Sequence, residues 1–338
     1  MTRGWLLTRP DDSTGSTGLN ARLVDLDSDD ALGGSLLVDG AVGDVTVAVT
    51  HSSLNFKDAL AFQGNRGVAR ISPLVPGIDV VGVVADSRHP RWRIGDRVVL
   101  NGAGAGETRH GGFAERAVLD GGTLVAVPST LSNAQAAAIG TAGFTAMMAV
   151  LALEKHGIPD GDVLVTGASG GLGSYAVALL DASGRRVVAA TGSTDHVDAL
   201  RALGAADVIH RSELDRESKP LQSQRWAAAV DAVGGRSLAT VLATTASNGA
   251  VVACGNAASA ELPTTVMPFI LRGVALLGAN STAAPLALRE HAWGRLGADL
   301  DPAVVDGLTR WVDLDAVTEA AAELLDGGVR GRVGVTIE

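Results

Sequence analysis

The run Val163-Leu-Val-Thr-Gly167-Ala-Ser-Gly170-Gly171-Leu-Gly173-Ser-Tyr-Ala-Val-Ala-Leu-Leu180 enters a glycine cluster as an apolar strand and leaves it as a small-residue helix. Glycines at those places serve a tight turn, a close approach of bare backbone to a ligand, and tight packing of helix on strand. Amides at a helix N-terminus lack internal acceptors and carry a partial positive charge, so the chemistry on offer is anion binding. The natural guest is a dinucleotide pyrophosphate, expected over Gly170, Gly171, Leu172, Gly173, Ser174 and Tyr175. Ala168 stands where the first glycine of G-x-G-x-x-G usually falls. The same residues fit the T-G-x-x-x-G-x-G pattern of short-chain dehydrogenases, whose chemistry needs Tyr and Lys four residues apart. The one tyrosine, Tyr175, is followed four residues later by Leu179, so that chemistry is excluded.

The elements that must hold this turn follow in order. Arg186-Val-Val-Ala-Ala190, Ala228-Ala-Val-Asp-Ala232, Gly249-Ala-Val-Val-Ala-Cys254 and Val274-Ala-Leu-Leu-Gly278 read as short buried strands alternating with helical patterns. That alternation predicts a parallel, doubly wound sheet. Before Leu131 the chain reads differently, with β-rich runs such as Val45–Val49, Val80–Val84 and Arg97–Leu100 between Gly/Asp/Pro turns. Ser132 to His156 is helical with an interruption at Gly140-Thr-Ala-Gly143, and Gly327 to Ile337 is a turn and a terminal strand. Asp11 to Gly18 reads as a flexible surface loop.

With 338 residues, 46% of them hydrophobic and 19% charged, the chain can bury two cores. A net charge of −10 argues against a nucleic-acid partner, yet not against a phosphate-bearing cofactor held by backbone amides. No apolar run of membrane-spanning length and no leader are evident, so the expectation is a soluble cytoplasmic protein with no membrane partner. One cysteine, Cys254, rules out a disulfide framework and both cysteine-based zinc arrangements of alcohol dehydrogenases; no metal is expected. Cys254 itself ends an apolar strand and reads as a small core residue.

Ser53-Leu-Asn-Phe-Lys-Asp-Ala-Leu60, Pro76-Gly-Ile-Asp79, Gly140-Thr-Ala-Gly-Phe-Thr-Ala146, Thr166–Gly171 and Leu262-Pro-Thr-Thr-Val-Met-Pro-Phe-Ile-Leu-Arg272 occur in one order along nearly the whole chain. In these phrases the chain resembles the zinc-free, quinone-oxidoreductase branch of the medium-chain dehydrogenase/reductase superfamily, and within it the acrylyl-CoA reductase subgroup. The resemblance implies an α/β protein with a GroES-like β-rich catalytic domain over 1–137. A Rossmann doubly wound parallel-sheet domain over 138–281 and a return to the catalytic domain over 282–338 complete it. It also implies an active site in the cleft between the domains and a homodimer paired at the last Rossmann strand, where Val274–Gly278 would otherwise leave an apolar edge.

An NAD site usually ends its second strand in Asp or Glu, which accepts from the ribose 2′-OH. Here that strand ends in Ala190-Thr-Gly-Ser-Thr194, without an acid before Asp195. A carboxylate there would repel a 2′-phosphate, so its absence favours NADPH. The family pattern commonly has Arg where this chain has Ser193. The Ser193 and Thr194 hydroxyls, with Arg211 at the end of the third strand as the cation, are expected to hold that phosphate, and Thr191 and Gly192 are expected to bind the cofactor beside them.

Without zinc or a Tyr–Lys pair, a carbonyl acceptor lacks an electrophilic activator, whereas an enoyl thioester or quinone needs less. The expected reaction is conjugate reduction of an activated C=C bond, acryloyl-CoA or another 2-enoyl-CoA by resemblance, with donors near the thioester oxygen stabilising the enolate. A quinone or enone reductase of the same fold, and a nucleotide-binding protein whose activity has lapsed, stay open. The resemblance places Asn55 and Asp58 at the catalytic centre, Asn55 on the nicotinamide or substrate carbonyl and Asp58 orienting its neighbours; a turn residue bonding local backbone is the alternative for Asn55. Phe56 stands where relatives often have Tyr and is expected at the cofactor by resemblance. Thr141 and Thr145 lie near the cofactor, and Asn256, Ile270, Ser281 and Arg332 flank the nicotinamide side, with Ile270 also readable as core. Asp231 either caps the next helix or touches the ribose. Lys57 reads as a solvated charge, and Arg70 as the cation for the CoA phosphates.

Overall fold

A computed structural model describes residues 2–9, 19–27, 43–217 and 219–337. The segment Asp11–Gly18, expected as a loop, lies outside the described residues. The chain divides into two compact units: Met1–Thr141, Ser281–Gly297 and Val305–Glu338 form the first, and Ala142–Asn280 with Ala298–Val304 the second.

In chain order the first unit opens with β1 (Arg3–Thr8), β2 (Asn20–Asp25), β3 (Val45–Leu54), α1 (Phe56–Phe62), β4 (Asp79–Ser87), β5 (Arg97–Asn101), β6 (Arg116–Leu119) and β7 (Val125–Ala126). Helix α2 (Asn133–His156) leads to β8 (Val163–Val165), α3 (Gly171–Ala182), β9 (Val187–Thr191), α4 (Val197–Ala202) and β10 (Ala205–His210). Then come β11 (Trp226–Asp231), α5 (Gly235–Thr244), β12 (Thr245–Ala253), α6 (Met267–Arg272) and β13 (Ala275–Gly278). The chain returns to the first unit through α7 (Leu286–Asp299), α8 (Pro302–Leu308), β14 (Thr309–Asp313), α9 (Val317–Leu325) and β15 (Arg332–Thr336).

The first unit is built on a seven-stranded sheet in the order β14-β15-β3-β4-β5-β7, with β6 paired to β3. In β3, Val45, Val47 and Val49 point inward by strict alternation, as expected of a sheet with one face on a core. They join Trp5, Phe113, Leu124, Val317 and Val333 in that core. Each such side chain contributes roughly 1.5–3 kcal/mol by burial.

The second unit is a six-stranded parallel sheet ordered β10-β9-β8-β11-β12-β13. Its inner strands β8, β9 and β11 are buried at every residue, because helices cover both faces of a parallel sheet. The outer strands β10 and β13 keep exposed positions. Strand order reverses direction between β8 and β11, which makes the crevice beyond their carboxyl ends the ligand-binding place in this architecture.

Contrary to the sequence expectation, α2 is long and apolar enough to cross a bilayer. Its most apolar window is 89% buried inside the protein, which makes it a core helix. The expected interruption falls at Gly140, where φ is 47° and the helix kinks.

Candidate active site

In the first unit the chemistry-bearing residues converge on Asp79, which heads β4 and has no exposed surface. Its carboxylate accepts from Ser53 Oγ (2.6 Å), Asn55 Nδ2 (2.8 Å) and Asn101 Nδ2 (2.7 Å). Thr141 donates to it twice, through its amide (3.0 Å) and its hydroxyl (2.6 Å). Arg332 Nη2 lies 3.8 Å away and donates to Ser53 Oγ at 2.6 Å. Six elements bring these groups together: the ends of β3 and β5, the start of α1, the heads of β4 and β15, and the kink in α2. The kink needs its glycine. A Cβ on Gly140 would sit 2.5 Å from Ser53 Oγ and 2.6 Å from Asp79 Oδ2, and φ is positive there.

Asn55 is the N-cap of α1, the position that favours Asn, and its amide donates to Asp58 Oδ2 at 2.8 Å. Its side chain is 9% exposed. Nδ2 faces Ser53 O, Asp58 Oδ2 and Asp79 Oδ2, and Oδ1 accepts from Arg332 Nη1 at 3.2 Å. Both ends of the Asn55 amide thus bond inside the protein, and the helix-capping role that the sequence also allowed is present. Thr141, expected near the cofactor, is half-buried, and Arg332, expected on the nicotinamide side, bonds within the same network. Arg332 spends its remaining donors on Ala138 O and Leu54 O and is 5% exposed.

Asp58 accepts from the amides of Asn55 and Ile78 (both 2.8 Å). Burial, reinforced by the Asp79 charge and opposed by the bonds from Asn55 and Ile78, raises its pKa from 3.8 to about 7.

The open side chains of the same stretch are Phe56, 54% exposed, and Lys57. Lys57 is not simply solvated, because its Nζ lies 2.8 Å from Glu107 Oε1 and 3.3 Å from Thr282 Oγ1. Arg70 is exposed; its Nε donates to Gly67 O at 3.0 Å and its amide to Glu107 O at 2.9 Å. Ser281 is half-buried, its carbonyl accepting from Arg289 at 3.1 Å.

In the second unit, Gly170 is the N-cap of α3, so Gly171, Leu172 and Gly173 supply the first helical amides, which have no acceptor within the helix. Gly170, Gly171 and Leu172 keep partial exposure. Gly173 is buried against the strand side of the turn, where a Cβ would lie 2.2 Å from Gly167 O. Ser174 and Tyr175, expected over the pyrophosphate, are buried. Ser174 gives its amide to Gly170 O and its hydroxyl to Ala168 O, and Tyr175 has no exposed surface. Thr145 is likewise buried on α2.

At the carboxyl end of β9, the Thr191 hydroxyl is within 3.3 Å of Ser169 Oγ, and Gly192 is exposed beside Arg211. A Cβ on Gly192 would be 2.9 Å from Arg211 Nε, so the guanidinium lies over that loop. His210 Nε2 is 3.3 Å from Gly192 O, and Ser193 is half-buried. Asn256 is exposed just past β12, in a turn tied to Ala232 and Val233 beyond β11 by the amides of Ala257 and Ala258. Asp231 is fully buried and accepts from Thr166 Oγ1 and the Gly234 amide (both 2.7 Å). It anchors the turn before α5 and the start of the glycine turn, and burial raises its pKa. Ile270 is 67% exposed, which overturns its reading as core. The Cys254 thiol is pushed up to about 12 by burial and by Asp231, so it is inert near neutrality.

Sequence reasoning missed Asp79 as the hub and Glu107 as the partner of Lys57. An acid heading the apolar run Asp79-Val-Val-Gly-Val-Val84 was a usable signal, since a strand buried on both sides seldom begins with a charge unless several donors meet it. Glu107 offered none.

The residues at the carboxyl edge of the second sheet fit a dinucleotide: free helical amides, a glycine that lets the backbone approach, an acid-free strand end and a guanidinium beside it. Among the described residues no group of three His, Cys, Asp or Glu could hold a metal ion. Residues 41–129 match the alcohol dehydrogenase GroES-like domain family, and residues 171–294 match the zinc-binding dehydrogenase family. The chain is 44% identical to acrylyl-CoA reductase AcuI of Ruegeria pomeroyi, over 94% of this chain and 99% of that protein. The solved structure of the yhdH oxidoreductase from Salmonella enterica in complex with NADP covers 100% of both chains with a TM-score of 0.93 and 44% identity. That of Bacillus subtilis protein yhfP with NAD bound covers 100% of both with a TM-score of 0.91 and 36% identity.

Proposed function

The chain belongs to the medium-chain dehydrogenase/reductase superfamily, in the subgroup of the acrylyl-CoA reductases, and from that membership we propose that it is an NADPH-dependent reductase of an activated C=C bond. Acryloyl-CoA, or a related 2-enoyl-CoA, is the substrate of this reading. The observation that carries it is likeness to an acrylyl-CoA reductase along almost the entire length of both proteins.

The choice of NADPH is supported by the end of β9, which has no carboxylate, and by Arg211 over Gly192. Relatives of this chain have been solved with NADP and with NAD. The acid-free strand end favours the phosphorylated form here. Gly170, Gly171 and Leu172 would hold the pyrophosphate, and Thr191, Ser193 and Arg211 the 2′-phosphate. Bound there, the reduced nucleotide supplies hydride to the alkene carbon β to the thioester. The Asp79 network contributes rigidity: Asn55 and Arg332 fix the end of β3 and the entry to α1, and so set where Phe56 and Lys57 stand. Arg70, exposed beside Glu107, suits the CoA phosphates.

Residues 1–137 and 282–338 then act as the substrate-binding part and 138–281 as the nucleotide-binding part. Exposed Val266, Ile270, Leu271 and Leu276, next to the edge of β13 that no strand among the described residues pairs, support a homodimer formed there, and a reductase drawing on NADPH suits the cytoplasm. Sedimentation velocity tests the dimer; a monomer at all concentrations rejects it.

Nucleotide oxidation with acryloyl-CoA, crotonyl-CoA and benzoquinone in parallel, each with NADPH and NADH, tests the activity. The expected outcome is fastest turnover of acryloyl-CoA with NADPH. Turnover of benzoquinone alone would move the assignment to a quinone reductase, and turnover of none despite tight nucleotide binding would mean a lapsed enzyme.

A further inference from the structure

Lys57 occupies the first turn of α1, two residues past the N-cap Asn55. Its partner Glu107 is 6% exposed while Lys57 itself is 43% exposed. A carboxylate that deep is stable only when its charge is met, so Glu107 holds the ammonium in one place where a surface lysine would roam. Thr282, the second acceptor, is itself fixed. Its carbonyl accepts from the Ala103 amide (3.2 Å) and Arg289 Nη2 (3.1 Å). Arg289 is buried and also ties Ala284 O (2.9 Å) and Asn101 O (2.7 Å), so the returning chain is stapled to the end of β5.

An ammonium has three N–H groups. Two are spoken for, and the third has no protein acceptor among the described residues. The neighbouring polar side chains have no such spare donor on display: those of Ser53, Asn55 and Arg332 bond inside the network, and Asp58 accepts from its neighbours.

We propose that Lys57 is the donor that stabilises the thioester oxygen during reduction of the double bond, and that Glu107 and Thr282 are the positioning residues that aim it. This rests on the enoyl-thioester reading given above. As the β-carbon gains hydride, the π pair moves through the α-carbon toward the carbonyl, and negative charge builds on the thioester oxygen. Lys57 donates a hydrogen bond to that oxygen and keeps its proton. The α-carbon then takes a proton from water and the C=O bond re-forms, so that one hydride and one proton are consumed. Because the ammonium is held before substrate arrives, no reorganisation is needed as the charge develops.

The test compares wild type with Lys57→Met/Glu107→Gln. The double variant removes the cation without stranding a buried carboxylate, so it keeps the fold. Loss of one preorganised oxyanion donor lowers kcat by about 10²–10³-fold, with KM within about threefold. An independent readout is the infrared carbonyl stretch of carbon-13-labelled propionyl-CoA bound to each protein. Wild type is expected to shift it to lower frequency, and the double variant to return it toward the free value. Lys57→Arg, which keeps a cation, is expected to retain part of both effects. An unchanged carbonyl shift in the double variant, or a raised KM with kcat intact, overturns the assignment while leaving the enzyme a thioester reductase. A wild-type protein inactive on every thioester overturns the reading beneath it as well.

Discussion

The Asp79 network of the first unit and the glycine turn of the second are both built from polar groups, and they differ in where those groups are spent. Around Asp79, hydroxyls, amides and a guanidinium are paired with one another: Ser53 and Asn55 donate to the carboxylate and Arg332 to both. At the turn, the first amides of α3 have no acceptor within the helix, and Gly170, Gly171 and Leu172 remain partly open. On the function proposed above, one is a scaffold and the other a receptor. Damage to the scaffold should therefore register as lost stability, and damage to the receptor as lost affinity.

The largest effect is expected from Arg332→Met, which removes the cation 3.8 Å from the buried Asp79 and the donor to Asn55 and Ser53. Removing one partner of a buried charged network costs about 3–5 kcal/mol, read from urea denaturation. A loss under 1 kcal/mol would mean that the network is dispensable.

Next comes a pH effect from the same region. The Asp58 pKa is raised from 3.8 to about 7 in the folded protein, so the native state binds this proton more tightly than the unfolded chain. Its contribution to stability is fully present below pH 4 and is lost as pH rises through 7. A three-unit shift corresponds to at most about 4 kcal/mol. Asp58→Asn should flatten this part of the stability–pH curve measured by denaturation; an identical slope in both proteins would contradict the shift.

In the second unit, Gly173→Ala forces a Cβ to within 2.2 Å of Gly167 O. Overpacking of this kind costs roughly 1–3 kcal/mol and distorts the turn, so NADPH affinity should fall along with the melting temperature. The sharpest contrast comes from Arg211→Ala. Loss of a charge-assisted phosphate bond should raise the Kd for NADPH by about tenfold or more, leave that for NADH within about twofold, and move stability by less than about 0.5 kcal/mol. Equal losses for both nucleotides in calorimetry would place the 2′-phosphate elsewhere.

Most of the second unit was legible in the sequence because its signals are local. Val163–Leu180 contains strand, turn and helix in succession, and the later strands are short apolar runs with clear ends. The kink at Gly140 was legible for the same reason. The scaffold was not, because its members meet only in space: Arg332 reaches Ala138 across 194 residues and Asn55 across 277. Asn55, Thr141 and Arg332 were therefore recognised as important without their meeting at Asp79 being foreseen. Side-chain direction within a helix was also hidden, so that Ser174 and Tyr175 proved to be interior and Ile270 exposed. The hydrophobicity of α2 escaped notice because its apolar residues are spread over a kinked segment rich in Ala.

A crystal structure of this protein with NADP+ bound would test the division between scaffold and receptor most directly. The expected result is pyrophosphate oxygens about 3 Å from the amides of Gly171 and Leu172, a 2′-phosphate paired with Arg211, and an unchanged set of bonds around Asp79. A pyrophosphate bound away from that turn, or Asn55 and Arg332 released from Asp79 to grip the nucleotide, would contradict it.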